Sequence, residues 1–158
     1  MRRAHRIAAA TGLATVALSG LAVADHGGLQ GLFNARGTVD ELELEHDDIG
    51  LDIEADEPID VAIVGAQLHA GGQTGWHTHP TDSIVSVQTG APDLVMVRQR
   101  HGECVEKRFT AGQAFVHPAG PHNFVNSDSE HPLNFGVAYF VPVGAQLLAP
   151  APAPSACR

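Results

Sequence analysis

Lysine and arginine are scarce, nine against 18 acidic residues, giving a net charge of −9 over 158 residues. Arg2, Arg3 and Arg6 supply three of the nine, and no acid precedes Asp25, so from Asp25 onward six basic residues face 18 acidic ones. So acidic a chain is a poor counterion for phosphate, which argues against a nucleic-acid binder and against charge-driven adhesion to an anionic membrane. Aromatic residues are few, 5% of the chain, but Val, Ile and Leu are plentiful, so scarcity of rings does not mean disorder. A helical stripe is missing too: from Asp25 onward no amphipathic pattern is sustained over a helix length of about 12 residues. No Ser/His/Asp set with a nucleophile turn is present, which disfavours a triad hydrolase. The length leaves room for one domain, and neither an internal repeat nor a second domain is visible.

The first 24 residues differ from the rest. Met1 to Arg6 is basic, Ile7 to Val23 is uncharged, small and apolar, and Ala22-Val23-Ala24 offers a cleavage site. That order predicts a secretory signal peptide over residues 1–24, cleaved after Ala24, and a secreted or periplasmic protein with no membrane attachment afterwards. A membrane anchor is the alternative, but the run is at the short limit for a span and is diluted by Thr11, Gly12, Thr15, Ser19 and Gly20. Export changes the reading of the two cysteines, Cys104 and Cys157. In an oxidising compartment they are expected to pair, closing a loop worth about 4 kcal/mol in the chain-entropy picture; two free thiols are the alternative. Neither has a base nearby in sequence, so a catalytic cysteine is disfavoured. Pro150-Ala151-Pro152-Ala153-Pro154 predicts a tail without helix or sheet, which the bridge would pin to the body.

The remaining chain reads as short strands. Glu41 to Glu45 alternates acids with leucines, Val61 to Leu68 is an apolar run of strand length, and Ser83 to Gln88 alternates around Ile84, Val85 and Val87. Further strands are expected at Leu94–Val97, Cys104–Phe109, Ala114–Val116, Phe124–Val125 and Leu133–Val141, separated by turns such as Gly71-Gly72, His101-Gly102 and Pro118-Ala119-Gly120-Pro121. This spacing predicts an all-β sandwich or barrel. Eleven of the 18 acids lie between Asp40 and Asp60; their spacing does not match an EF-hand, and a solvated strand face is expected rather than a calcium site.

Ten histidines stand out. His77-Thr78-His79 is an H-x-H pair, and on a strand residues i and i+2 share a face, so two imidazoles can converge on one ion. His122 follows the tight turn Pro118–Pro121 and completes a set of three neutral donors suited to a transition metal. His117 reads as a strand-end histidine, with lining the site as the alternative. His69 reads as structural or surface, and Trp76 as either a pocket wall or a core or rim aromatic. Gln88 and Tyr139 are not singled out. Arg98 and Arg100 read as a solvated edge strand rather than an anion site.

The spacing of these residues resembles the cupin superfamily. Gly71, His77, His79 and Gly90 match its first motif, and Gly112, Pro118, Gly120, His122 and Asn126 match its second. The resemblance implies a single-domain double-stranded β-helix, the cupin or jelly-roll barrel. The strands of residues 25–60 would precede a core barrel at 61–145 and a Pro/Ala-rich tail at 146–158 that carries Cys157. It implies a divalent transition metal (Fe, Mn, Zn, Ni or Cu) on His77, His79 and His122. Two departures stand against it. One residue rather than two separates Gly120 from His122, and Ser83 occupies the position of the first motif's glutamate ligand. Asp82, one residue away, would point to the other strand face unless a turn intervened.

A site without that carboxylate keeps the full dipositive charge and one more open position, which suits an anionic substrate or hydroxide and resembles the three-histidine sites of the thiol dioxygenases. The resemblance thus implies an oxygenase, with isomerase or lyase behind it, acting on a small molecule, with Ser83 orienting water or substrate. A non-catalytic binding module for a metal or small ligand is the alternative. Homodimers built through barrel edges are common in the family.

Overall fold

Alternation between inward and outward side chains organises the whole molecule. In the computed structural model, which describes residues 28–158, twelve strands carry the chain and the only helices are two three-residue 3-10 turns, Asp47–Ile49 and Ser155–Cys157. The expected signal segment, residues 1–24, lies outside the described residues. Among the described residues no helix is long and apolar enough to cross a membrane.

Two five-stranded antiparallel sheets form the barrel. The first has the order β1 (Leu29–Val39), β4 (Ile59–Leu68), β11 (Leu133–Pro142), β6 (Ser83–Val87) and β9 (Ala114–His117). The second has the order β12 (Ala149–Pro150), β5 (His77–Thr78), β10 (His122–Asn126), β7 (Leu94–Arg100) and β8 (Glu103–Phe109). Neighbours in the sheets are mostly distant in sequence, as in a double-stranded β-helix. A separate hairpin, β2 (Leu42–His46) and β3 (Leu51–Ala55), with its turn carries six of the 18 acids, all on exposed positions.

The core lies between the sheets. Strand β11 buries Leu133, Phe135, Val137, Tyr139 and Val141, every second residue, against Val85 and Val87 of β6 and Leu94 and Met96 of β7. Burying one such side chain stabilises the fold by roughly 1.5–3 kcal/mol, so this periodicity alone fixes which face of each strand turns inward. The outer face of the first sheet carries an uncharged row, Ala35–Ile63–Ala138–Ile84–Val116, running across all five strands in register.

The structure differs from the sequence expectations at both ends of the described chain. Strand β1 was not apparent in the sequence; it runs along β4 from Leu29↔Leu68 to Val39↔Ile59, so part of the segment 25–60 belongs to the barrel. The Pro/Ala tail also forms sheet: Ala149 and Pro150 pair with Thr78 and His77. Proline is tolerated there because β12 is an edge strand and needs no outward N–H donor. The next N–H, of Ala151, donates to the Trp76 carbonyl at 2.9 Å. Cys104 on β8 and Cys157 in the terminal 3-10 turn are joined in a disulfide, with Cα atoms 5.0 Å apart. One member of the acidic segment is not solvated. Asp60 accepts from Thr38 Oγ1 at 2.6 Å, Gly144 N–H at 2.9 Å and Arg36 Nε at 2.7 Å. These bonds, the Thr38 hydroxyl first, hold its carboxyl down at about 2.

Candidate metal centre

Strand register brings the histidines together. His122 on β10 stands directly opposite His77 on β5, so both rings leave the sheet on its inner face. Gly75, with φ of +73°, turns the chain into β5 in a backbone region that a side chain would resist. His79 follows two residues after His77 and is also buried. The three rings present ligand atoms that all lie within 4.8 Å of one another, the only such group of histidine, cysteine or acidic residues among the described residues.

Each ring is held through Nδ1. His77 Nδ1–H donates to the Gly75 carbonyl at 2.8 Å, His122 to Gly120 at 2.8 Å, and His79 to Leu147 at 2.6 Å. A ring that donates from Nδ1 carries its lone pair on Nε2, the tautomer a metal requires. His122 Nε2 is buried without a hydrogen-bond partner, an orphan that a cation would satisfy. Burial pushes His79 below the usual imidazole range against the pull of the Leu147 carbonyl; burial, with the neighbouring imidazoles, pushes His122 down too. His79 and His122 therefore stay neutral, and the set of three imidazoles fits a divalent transition ion.

Ser83 and Asp82 part as strand alternation requires. Asp82 is exposed, and its Oδ1 accepts the Ala119 N–H at 2.9 Å, bracing the turn before His122 rather than joining the cluster. Ser83 faces inward at 2% exposure, but its Oγ meets His117 Nδ1 at 3.2 Å.

His117 ends strand β9 as expected, but it turns inward against the cluster. It is fully buried, and its ring centroid lies 3.8 Å from that of His122 and 5.1 Å from that of His79. The cause is the alternation of β9, which turns Val116 out and His117 in; Phe115, two residues earlier on the same face, carried that signal. Burial first, then the charges that His79, His77 and Arg98 can carry, push His117 down to about 3.

A cavity of about 80 Å³ opens beside His77 and His79. Its wall is otherwise almost wholly apolar, with Val64, Val85, Phe124, Phe135, Val137 and Leu147 on it, and only Thr74 and Tyr139 add polar atoms. Tyr139 lies with its ring 5.2 Å from His79, and burial raises its hydroxyl well above the usual phenol range. The other residues weighed from sequence stand apart. Gln88 and His69 are exposed and Trp76 is half-buried outside the cavity wall. Arg98 sits in register with His122 on β7, an interior strand of its sheet, not an edge. Asn126 closes the second motif structurally, donating to the carbonyls of His69 and His131.

Fold and site together define a small antiparallel β-barrel with a histidine cluster inside it. No protein-family model and no curated protein matches the chain. Among solved structures it is similar to a cupin domain from Bordetella pertussis Tohama I, 26% identical over 51% of this chain and 80% of that one, with a TM-score of 0.42. A protein with a double-stranded β-helix domain from Klebsiella pneumoniae MGH 78578 is 23% identical over 58% of this chain and 75% of that one, with a TM-score of 0.44. Oxalate decarboxylase of Lactobacillus farciminis, in a formate complex, is 21% identical over 57% of this chain but only 26% of its own, with a TM-score of 0.47.

Proposed function

We propose that the protein is an exported metal-binding cupin that holds a divalent transition ion on His77, His79 and His122 and uses it as a small-molecule oxygenase. The observation that carries this reading is the shared anchoring of three buried imidazoles through Nδ1, with their ligand atoms within 4.8 Å of one another. When bound, such an ion supplies Lewis acidity and, for a redox-active metal, electron transfer with dioxygen. The chain's own residues do the rest. The carbonyls of Gly75, Gly120 and Leu147 fix the rings, and the apolar wall excludes water. Tyr139 and Thr74 are the polar groups that a ligand in the cavity can meet. The disulfide supports an oxidising compartment and thereby export.

The size of the cavity limits the ligand. A cavity of about 150 Å³ suffices for benzene, so one of about 80 Å³ favours a ligand smaller than a benzene ring. No Lys or Arg lines it, so an anionic substrate would find its counter-charge on the metal alone.

A second reading, a binding module without turnover, is favoured by that apolar wall, because few polar groups converge to do chemistry. Elemental analysis of protein purified without chelator or histidine tag tests the first half of the proposal: near-stoichiometric metal, absent from His77→Ala/His79→Ala, is expected. Oxygen consumption with small carbonyl and carboxylate compounds then separates the two readings. No metal after reconstitution with Fe, Mn, Cu, Ni and Zn in turn would remove the metal centre and the enzyme with it.

A further inference from the structure

We propose that His117 is a fourth ligand of the metal centre and takes the coordination place that Ser83 leaves empty. The inference rests on the reading of His77, His79 and His122 as ligands. It is carried by a polar atom that nothing in the fold satisfies: His117 is fully buried, yet its Nε2 has no hydrogen-bond partner. The only other buried side-chain polar atom in that state among the described residues is Nε2 of His122. The two rings pack at 3.8 Å between centroids, so the two orphans belong to one locus.

His117 is also anchored at Nδ1, but on a hydroxyl that can accept or donate. Its Nδ1 lies 3.2 Å from Ser83 Oγ, and with Nδ1–H donating to that oxygen the lone pair falls on Nε2. Each of the other three rings reaches the same tautomer on a backbone carbonyl. Ser83 and His117 are direct partners across β6 and β9, both on the inner face. The strand position that would extend a carboxylate toward the ion here carries a short hydroxyl, which instead props an imidazole from the neighbouring strand.

A role in touching substrate is less well supported, because His77 and His79 line the cavity and His117 does not. Its ring stands beside the trio on the His122 side but outside the 4.8 Å grouping of the three, so ligation requires its side chain to turn toward the ion. No carboxylate competes for the place, since Asp82 is exposed and engaged with Ala119. The resulting site is dipositive and all-nitrogen.

The test loads the full-length protein with zinc. X-ray absorption counts imidazoles, and chelator competition measures affinity. Four imidazoles are expected in the wild-type protein and three in His117→Asn, with affinity for zinc falling about 10- to 100-fold. In a His117→Ala background, Ser83→Glu is expected to recover much of that affinity, a rescue that a purely structural role for His117 would not produce. Zinc held by three imidazoles in the wild type, with His117→Asn unchanged in affinity, would overturn the fourth ligand and leave the three-histidine centre standing. Zinc absent even from the wild type would overturn both. Should His117→Asn fail to fold, the imidazole count of the wild type decides: four supports the proposal, three sinks it.

Discussion

Two regions of this chain concentrate titratable residues, and they do opposite things with them. The hairpin β2–β3 and its flanks hold most of the eleven acids between Asp40 and Asp60, spread over exposed positions with no convergence on an ion. The interior of the barrel holds four histidines, each less than a tenth exposed, packed ring against ring. Number does not make a site. Register makes it, by aiming few groups at one point, and burial keeps His79, His117 and His122 neutral so that they can approach. In the hairpin, alternation puts like charges on a solvated face, where water and salt screen them.

The largest expected effect breaks the barrel's side of this contrast. His77→Ala/His79→Ala removes two of three convergent donors and should abolish stoichiometric metal, read by elemental analysis, while near-ultraviolet circular dichroism stays native. Next comes the staple. Replacing Cys104 and Cys157 with serine should cost about 2–4 kcal/mol in denaturant unfolding, because 53 residues of sequence separation are no longer closed in the unfolded chain.

Acidification should then separate the two regions. His79, His117 and His122 are held neutral in the fold, so below the ordinary imidazole value of 6.5 the unfolded chain takes up protons that the folded chain does not. Stability of the metal-free protein should therefore be full above pH 7 and decline as pH falls through 6 toward 3. The slope is up to about 1.4 kcal/mol per pH unit for each such histidine. A melting temperature that is flat from pH 7 to 5 would contradict neutral burial. Among the acids, Asp60→Asn should lower the melting temperature, since it weakens the Arg36 and Thr38 contacts between β1 and β4. The smallest effect belongs to the hairpin: Glu43→Gln or Glu45→Gln should shift stability by no more than about 0.5 kcal/mol.

Most of the barrel was legible because its inner strands obey one rule. Ser83–Val87 and Leu133–Pro142 bury every second residue, and that alternation is written in their side chains. Val61 to Leu68 reads instead as a near-continuous apolar run because Ile63, on its outer face, belongs to the uncharged row on the sheet's exterior. Strand β1 leaves little mark in the sequence because nearly all its side chains are exposed, and much of its pairing with β4 is made by backbone groups that every residue has. The H-x-H pair and His122 were legible from spacing. His117 was legible only as one end of an alternation with Phe115. The carbonyls of Gly75, Gly120 and Leu147 could not be foreseen at all, because a backbone acceptor leaves no mark in a sequence.

The Leu147 carbonyl also sets an order of events. A chain that emerges from a ribosome or a translocation pore N-terminus first delivers His79 to the growing fold 68 residues ahead of the atom that orients it. During that interval β5 lacks its edge partner β12, and Cys104 waits for Cys157. The histidine pair is thus made early and aimed late, and an ion arriving before the tail docks would meet an unfinished set of donors.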